Sequence, residues 1–182
     1  MLYIIRHGKT DWNAQKRLQG HTDIPLNAEG REMARAARSA CASISFDVCF
    51  CSPLIRARET AEILLEGRNV PIVPDERLTE MDFGAYDGRC FADAEKGSPL
   101  DLLFHDPLNY AAVEDGESFD ALCERTGEFL TEVVEPVLRE GGCVLIAGHG
   151  AVNASIIGRI RGIPRERFWD ALTGNCKLTK LL

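Results

Sequence analysis

The chain has 182 residues, 45% of them hydrophobic and 27% charged, which is the composition of an ordinary globular protein. Its net charge of −7 argues against a nucleic-acid binder, and no apolar run approaches the roughly 18 residues of a membrane span. An anion site must therefore be made locally, by arginines held against the overall field of the protein.

Leu2-Tyr3-Ile4-Ile5 reads as a short buried strand, and Met1 runs into it without a basic or apolar leader, which predicts a cytoplasmic protein. Arg6, His7 and Gly8 fall where that strand ends. In α/β proteins the carboxyl ends of strands are where ligands sit. A cation and an imidazole at such an edge can bind an anion and attack it. Gly8, without a Cβ, lets backbone N–H groups approach a phosphate-sized group. Trp12 to Pro25 reads as a polar loop long enough to lie over this edge.

Asn27 predicts an N-cap for a helix running through Arg38, and Phe46 to Cys51 reads as the second strand. Ser52 as N-cap and Pro53 at the first helical position predict a second helix reaching Leu65. That places Arg56 in a first helical turn, where a cation opposes the helix dipole unless an anion lies between them. Such a local conflict points to function. Val70 to Pro74 reads as an extended piece bounded by prolines, and Glu80 and Asp82 precede a loop punctuated by Gly84 and Gly88.

Residues 89–116 have no regular pattern beyond a short helix near Leu100–Phe104, which makes them a candidate lid or specificity insert. A long amphipathic helix is expected from Ser118 to about Arg139, with Phe119, Leu122, Cys123, Phe129, Leu130, Val133 and Val137 inward and Pro136 kinking or ending it. Cys143 to Ala147 reads as a buried strand ending in Gly148-His149-Gly150, followed by a helix to Ile160. Trp169–Leu172 and Lys177–Leu182 could supply a last strand or edge pair. Seven scattered cysteines predict reduced, mostly buried thiols, with Cys49 and Cys51 on one strand face. With no repeat or linker, residues 1–182 read as one domain.

Two strands thus end in a histidine beside glycine, and a third is followed by Arg56. A parallel sheet places all three ends along one edge, which is more specific than any one of them. A metal site is the rival use of histidines. His7, His21, His105 and His149 lack metal-ligand spacing, and Arg6 and Arg56 would repel a cation.

These stretches, with Gln19 to Leu26, Ser52 to Ala61 and Leu78 to Gly84, resemble the histidine phosphatase superfamily, the phosphoglycerate mutase-like group. The likeness covers the whole chain and is to the short bacterial phosphatases, among which α-ribazole phosphatases look nearest. It implies a three-layer α/β/α fold with a mainly parallel sheet. It implies a cofactor-free, metal-independent hydrolysis of a small phosphorylated metabolite, such as α-ribazole phosphate or a sugar phosphate. His7 would become phosphohistidine, Arg6 and Arg56 would grip the phosphoryl oxygens, and a protonated His149 would stabilise the transferring group. Glu80 would carry the proton of the leaving oxygen, with Asp82 as its competitor. Gly8, Thr10, Asn13, Gln19, Gly20 and Gly150 would complete the phosphate and substrate contacts.

Lys9 departs from the acid common after the glycine, and Asp115-Gly116-Glu117-Ser118 keeps only part of a Gly-Gly-Glu-Ser run. A mutase is an alternative, although mutases of this group carry a longer insert to exclude water. A silent scaffold binding a phosphorylated partner is another, opposed by every catalytic position being filled. Arg58 is expected to pair with Glu62, His21 to line the rim or lie exposed, His105 to lie at the surface, and Trp12 and Trp169 to serve packing.

Overall fold

The computed structural model describes residues 1–182. Its centre is a five-stranded sheet made of β1 (Leu2–Arg6), β2 (Val48–Cys51), β3 (Ile72–Pro74), β4 (Val144–Gly148) and β5 (Thr179–Lys180), in the order β3-β2-β4-β1-β5. The first four run parallel, and β5 pairs antiparallel with β1 at the edge. Every residue of β4 is buried, as a central parallel strand covered on both faces requires. The β1–β4 register pairs Arg6 with Gly148, so both strands stop at one level.

Helices cover both faces. Ile5, Cys49, Cys51, Leu145 and Ala147 point to the side held by α2 (Ala28–Ala40) and α3 (Ile55–Leu65). Leu2, Ile4, Phe50, Val144 and Ile146 point to the other, against α5 (Phe119–Phe129) and the helix Gly150–Arg161. The three-layer arrangement expected from the sequence is the one observed. Cys49 and Cys51 share a face as alternation demands, and all seven cysteines are free thiols. Burial pushes the Cys51 thiol up to about 11, so it is inert at neutral pH.

Several elements differ from the sequence reading. The loop after β1 opens with one helical turn, α1 (Asp11–Ala14), because Thr10 and Asn13 form a reciprocal capping box. Asn27 does cap α2, accepting from Gly30 N at 2.8 Å. Ser52 does not cap α3. Its hydroxyl closes a turn onto Leu54 N, and the helix begins two residues after Pro53. The free Ile55 N–H at that helix start donates instead to Asp23 Oδ1 at 2.8 Å, a cap supplied from the preceding loop.

In the insert, α4 (Pro99–His105) lies over the expected short helix, capped by Ser98. The long amphipathic helix is α5, then a π-helical stretch Leu130–Val134, then α6 (Glu135–Arg139). Pro136 has no N–H to give to the turn before it, and the widened turn absorbs the loss without ending the helix. The change of pitch turns Val134 into the core and leaves Val133 and Val137 half-buried. Trp169–Leu172 is not a strand: Arg165–Ala171 forms 3-10 turns packed against α7 (Gly150–Arg161), and only Thr179–Lys180 joins the sheet.

Candidate active site

At the common strand edge His7 N–H donates to Gly148 O at 3.0 Å, which fixes the first histidine beside the second. The two imidazole centroids are 5.1 Å apart. His7 Nδ1 lies 2.7 Å from Gly8 O. A carbonyl only accepts, so Nδ1 carries the proton and Nε2 keeps its lone pair. Burial first, then the charges of Arg56 and Arg6, hold His7 well below the usual imidazole range. It is a neutral imidazole with a free nitrogen, the state a nucleophile needs.

Arg56 is fully buried and Arg6 half-buried, and taking a cation out of water costs several kcal/mol unless an anion answers it. Arg56 donates to Thr22 O at 3.0 Å and Gly20 O at 2.8 Å, and Arg6 to Thr173 O at 3.1 Å. The Nε of each arginine and both ring nitrogens of His149 have no protein partner. Four such groups on the neighbours of His7 form a cradle whose chemistry calls for an anion with several acceptor oxygens, although Arg56 and His149 do not themselves line the open cavity. His149 is not cationic here. Burial, then Arg56, His7 and Arg6, keeps it well below its ordinary value, so the protonated state expected from the sequence requires a bound anion.

Glu80 is buried at the start of α7 and closes the far side. Its Oε2 accepts from Gly150 N at 2.8 Å and Ala151 N at 3.2 Å. Its Oε1 accepts from Met81 N at 2.9 Å and Val152 N at 3.2 Å. These bonds use all four lone-pair positions of a carboxylate and cap the positive end of the helix. Glu80 must release one of them when it carries a proton. Asp82 is turned away, with Oδ1 accepting from Gly84 N and Oδ2 3.3 Å from His21 Nδ1. His21 also reaches Glu80 O at 2.9 Å and lies exposed, the second of the two expected placements, outside the lining of the His7 cavity.

Arg6, His7, Asn13, Gln19, Glu80 and Gly150 line one cavity of about 410 Å³. The other expected contact residues are committed elsewhere. Gly8 N–H donates to Thr60 Oγ1 at 3.0 Å, and a Cβ on Gly8 would stand 2.5 Å from Gly30 O. This glycine serves close packing of α2 on the strand end, not approach to phosphate. Thr10 N–H goes to Asn13 Oδ1, Gly20 N–H to Asp87 Oδ1 and Gly150 N–H to Glu80. Thr10, Gly20 and Gly150 therefore hold the loops and the acid in place rather than offering N–H groups to phosphate. Arg58 pairs with Glu62 at 3.7 Å as expected, and Lys9 pairs with Glu29.

Sequence reasoning missed Thr60, which ties Gly8 to Arg56 O, Asn175, whose amide holds His7 O at 2.8 Å, and Asp87, which anchors the Gln19–Thr22 loop. It also set Trp169 aside as a packing residue, whereas Trp169 lines the cavity. A second cleft of about 750 Å³ carries Glu76, Asp82, Asp115 and Glu117, and such a lining repels phosphate.

Fold and site together define an α/β enzyme of phosphoryl transfer, with a neutral imidazole set between arginines. The family model of the histidine phosphatase superfamily (branch 1) matches residues 2–182, and the chain belongs to that superfamily, with the activity class of a phosphatase. It is 32% identical to the adenosylcobalamin/alpha-ribazole phosphatase of Escherichia coli strain K12, over 92% of this chain and 82% of that protein. It is 30% identical to a probable phosphoglycerate mutase GpmB of Enterobacter sp. strain 638, over 99% and 83%. Among solved structures, Bacillus stearothermophilus YhfR superposes with a TM-score of 0.89 at 31% identity, over 97% of this chain and 88% of that one.

Proposed function

We propose that the protein is a metal-independent phosphomonoesterase that hydrolyses a small phosphorylated metabolite through a phosphohistidine on His7. One observation carries this reading: His7 Nδ1–H is spent on Gly8 O, which leaves Nε2 bare among Arg6, Arg56 and His149.

The phosphate dianion lies in the cradle, with its oxygens taking the unpaired guanidinium N–H groups. Its charge draws a proton onto His149, which then donates to a phosphoryl oxygen. His7 Nε2 attacks phosphorus in line, the P–N bond forms, the P–O bond to the alcohol breaks, and Glu80 delivers the proton to the leaving oxygen. Water then gives a proton to Glu80 and its oxygen to phosphorus, the P–N bond breaks, and phosphate leaves. Arginine charge and imidazole nucleophilicity supply what a metal would otherwise provide.

The substrate is sought among sugar phosphates and ribazole-type phosphates, as the named relatives suggest. Seven free thiols support a reducing compartment, and we place the protein in the cytoplasm; no helix is long and apolar enough to cross a membrane. The test is phosphate release in the presence of chelator across a panel of phosphate esters, with His7→Ala alongside and acid-labile phosphate on the protein measured after quenching. Release that survives the chelator and disappears with His7 is the expected result. Release that His7→Ala retains would overturn the mechanism.

A further inference from the structure

The half of the cavity away from His7 is apolar. Phe91, Leu100 and Phe104 of the irregular insert line it together with Phe83, Trp169 and Leu172. The rings form a ladder: Phe91 and Phe104 have centroids 5.1 Å apart, as do Phe104 and Trp169. Trp169 Nε1 donates to Leu103 O at 2.6 Å, which pins α4 to the 3-10 turns in one continuous wall. Phe91 and Leu172 remain 42% and 44% exposed, so each shows apolar surface at the cavity that holds His7.

Besides Arg6, the lining holds one arginine, Arg17, whose Nε donates to Gly88 O at 2.6 Å while its guanidinium stacks over Trp12 at 4.2 Å. The lining His105 is bonded to Asp101. A flat apolar group would find rings on which to stack, in a cavity of about 410 Å³ that holds a phosphate and a body of one or two rings.

Resting on the phosphatase reading above, we infer that the preferred substrates are phosphate monoesters whose alcohol carries an aromatic or comparably apolar body. Phe91, Phe104 and Trp169 are the specificity-determining residues of that leaving-group subsite.

The test compares kcat/KM for 2-naphthylmethyl phosphate, glycerol 3-phosphate and 3-phosphoglycerate. The first two release primary alcohols of similar acidity, so their ratio reads the subsite and not leaving-group chemistry. A ratio above about tenfold in favour of the naphthyl ester is expected, since a single methylene in an apolar pocket is worth that much. Phe104→Ala and, separately, Phe91→Ala lower the ratio by about fivefold or more. Phe91 is half exposed, so its variant carries the test if Phe104→Ala does not fold. Phe91→Lys shifts preference toward 3-phosphoglycerate. A wild-type ratio near one, or a ratio unmoved by both alanine variants, overturns the inference and leaves the phosphatase reading standing. No release from any ester overturns the phosphatase reading itself.

Discussion

Replacing Glu80 by glutamine puts an NH2 group where a carboxylate oxygen accepts two backbone N–H groups. Whichever way the amide turns, two buried donors face another donor, either Gly150 and Ala151 or Met81 and Val152. Each unsatisfied donor costs about 1–3 kcal/mol, so the variant loses about 2–6 kcal/mol. At about 2–4 °C per kcal/mol for a chain of this size, the melting temperature falls by about 4–24 °C. The same change removes the group that carries the leaving-group proton. At a temperature well below the variant's transition, turnover of alkyl phosphates falls by about 10²–10⁴-fold, while an aryl phosphate, whose leaving group departs unprotonated, loses far less. Scanning calorimetry and the two substrates side by side separate the two effects. Equal loss on both substrates would remove Glu80 from the acid role, and an unchanged melting temperature would show that its four bonds are not the anchor of α7.

His7→Ala abolishes turnover and the acid-labile phosphoprotein while leaving phosphate binding measurable by titration, because Arg6 and Arg56 are untouched. Stability should depend on pH below neutrality. His7 and His149 fold as neutral groups with depressed values, so below about 6.5 the unfolded chain binds protons that the folded one refuses. Unfolding free energy is therefore flat above about pH 7 and falls on acidification by about 1.4 kcal/mol per pH unit for each histidine. Denaturant melts at several pH values read the slope; His149→Asn should halve it, and an unchanged slope would refute the assignment. Gly30→Ala places a Cβ 2.1 Å from Lys9 O and must push the strand end away. Although Gly30 touches no substrate, thermal melts should show a loss of about 1–3 kcal/mol, and phosphate-release assays should show reduced turnover.

Much of this was legible because local and long-range signals agree. The apolar runs of β1 and β4, each closed by histidine and glycine, specify a parallel pair, and the pairing brings His7 to His149 without further information. What the sequence hid depends on partners distant along the chain. Ser52-Pro53 has the chemistry of a helix start, yet Asp23 supplies the cap because the loop that carries it is drawn in by Arg56 and Asp87. Gly8 resembles a phosphate-loop glycine, but its missing Cβ is explained by Gly30 across the interface. The aromatic wall was unreadable because residues 91–104 have no period of their own and acquire order through Trp169.

The pairing of the first strand with the fourth bears on how the chain comes to life. The ribosome makes His7 well before the carbonyl that seats it, Gly148 O, and the helix start that holds Glu80, which lie far along the chain. At about 5–20 residues per second, His7 waits on the order of ten seconds or more for its surroundings. During that wait the imidazole is solvated, with no cradle around it and no reason to be reactive. Chemistry is the last property the nascent protein acquires, so the first appearance of turnover marks completion of the sheet.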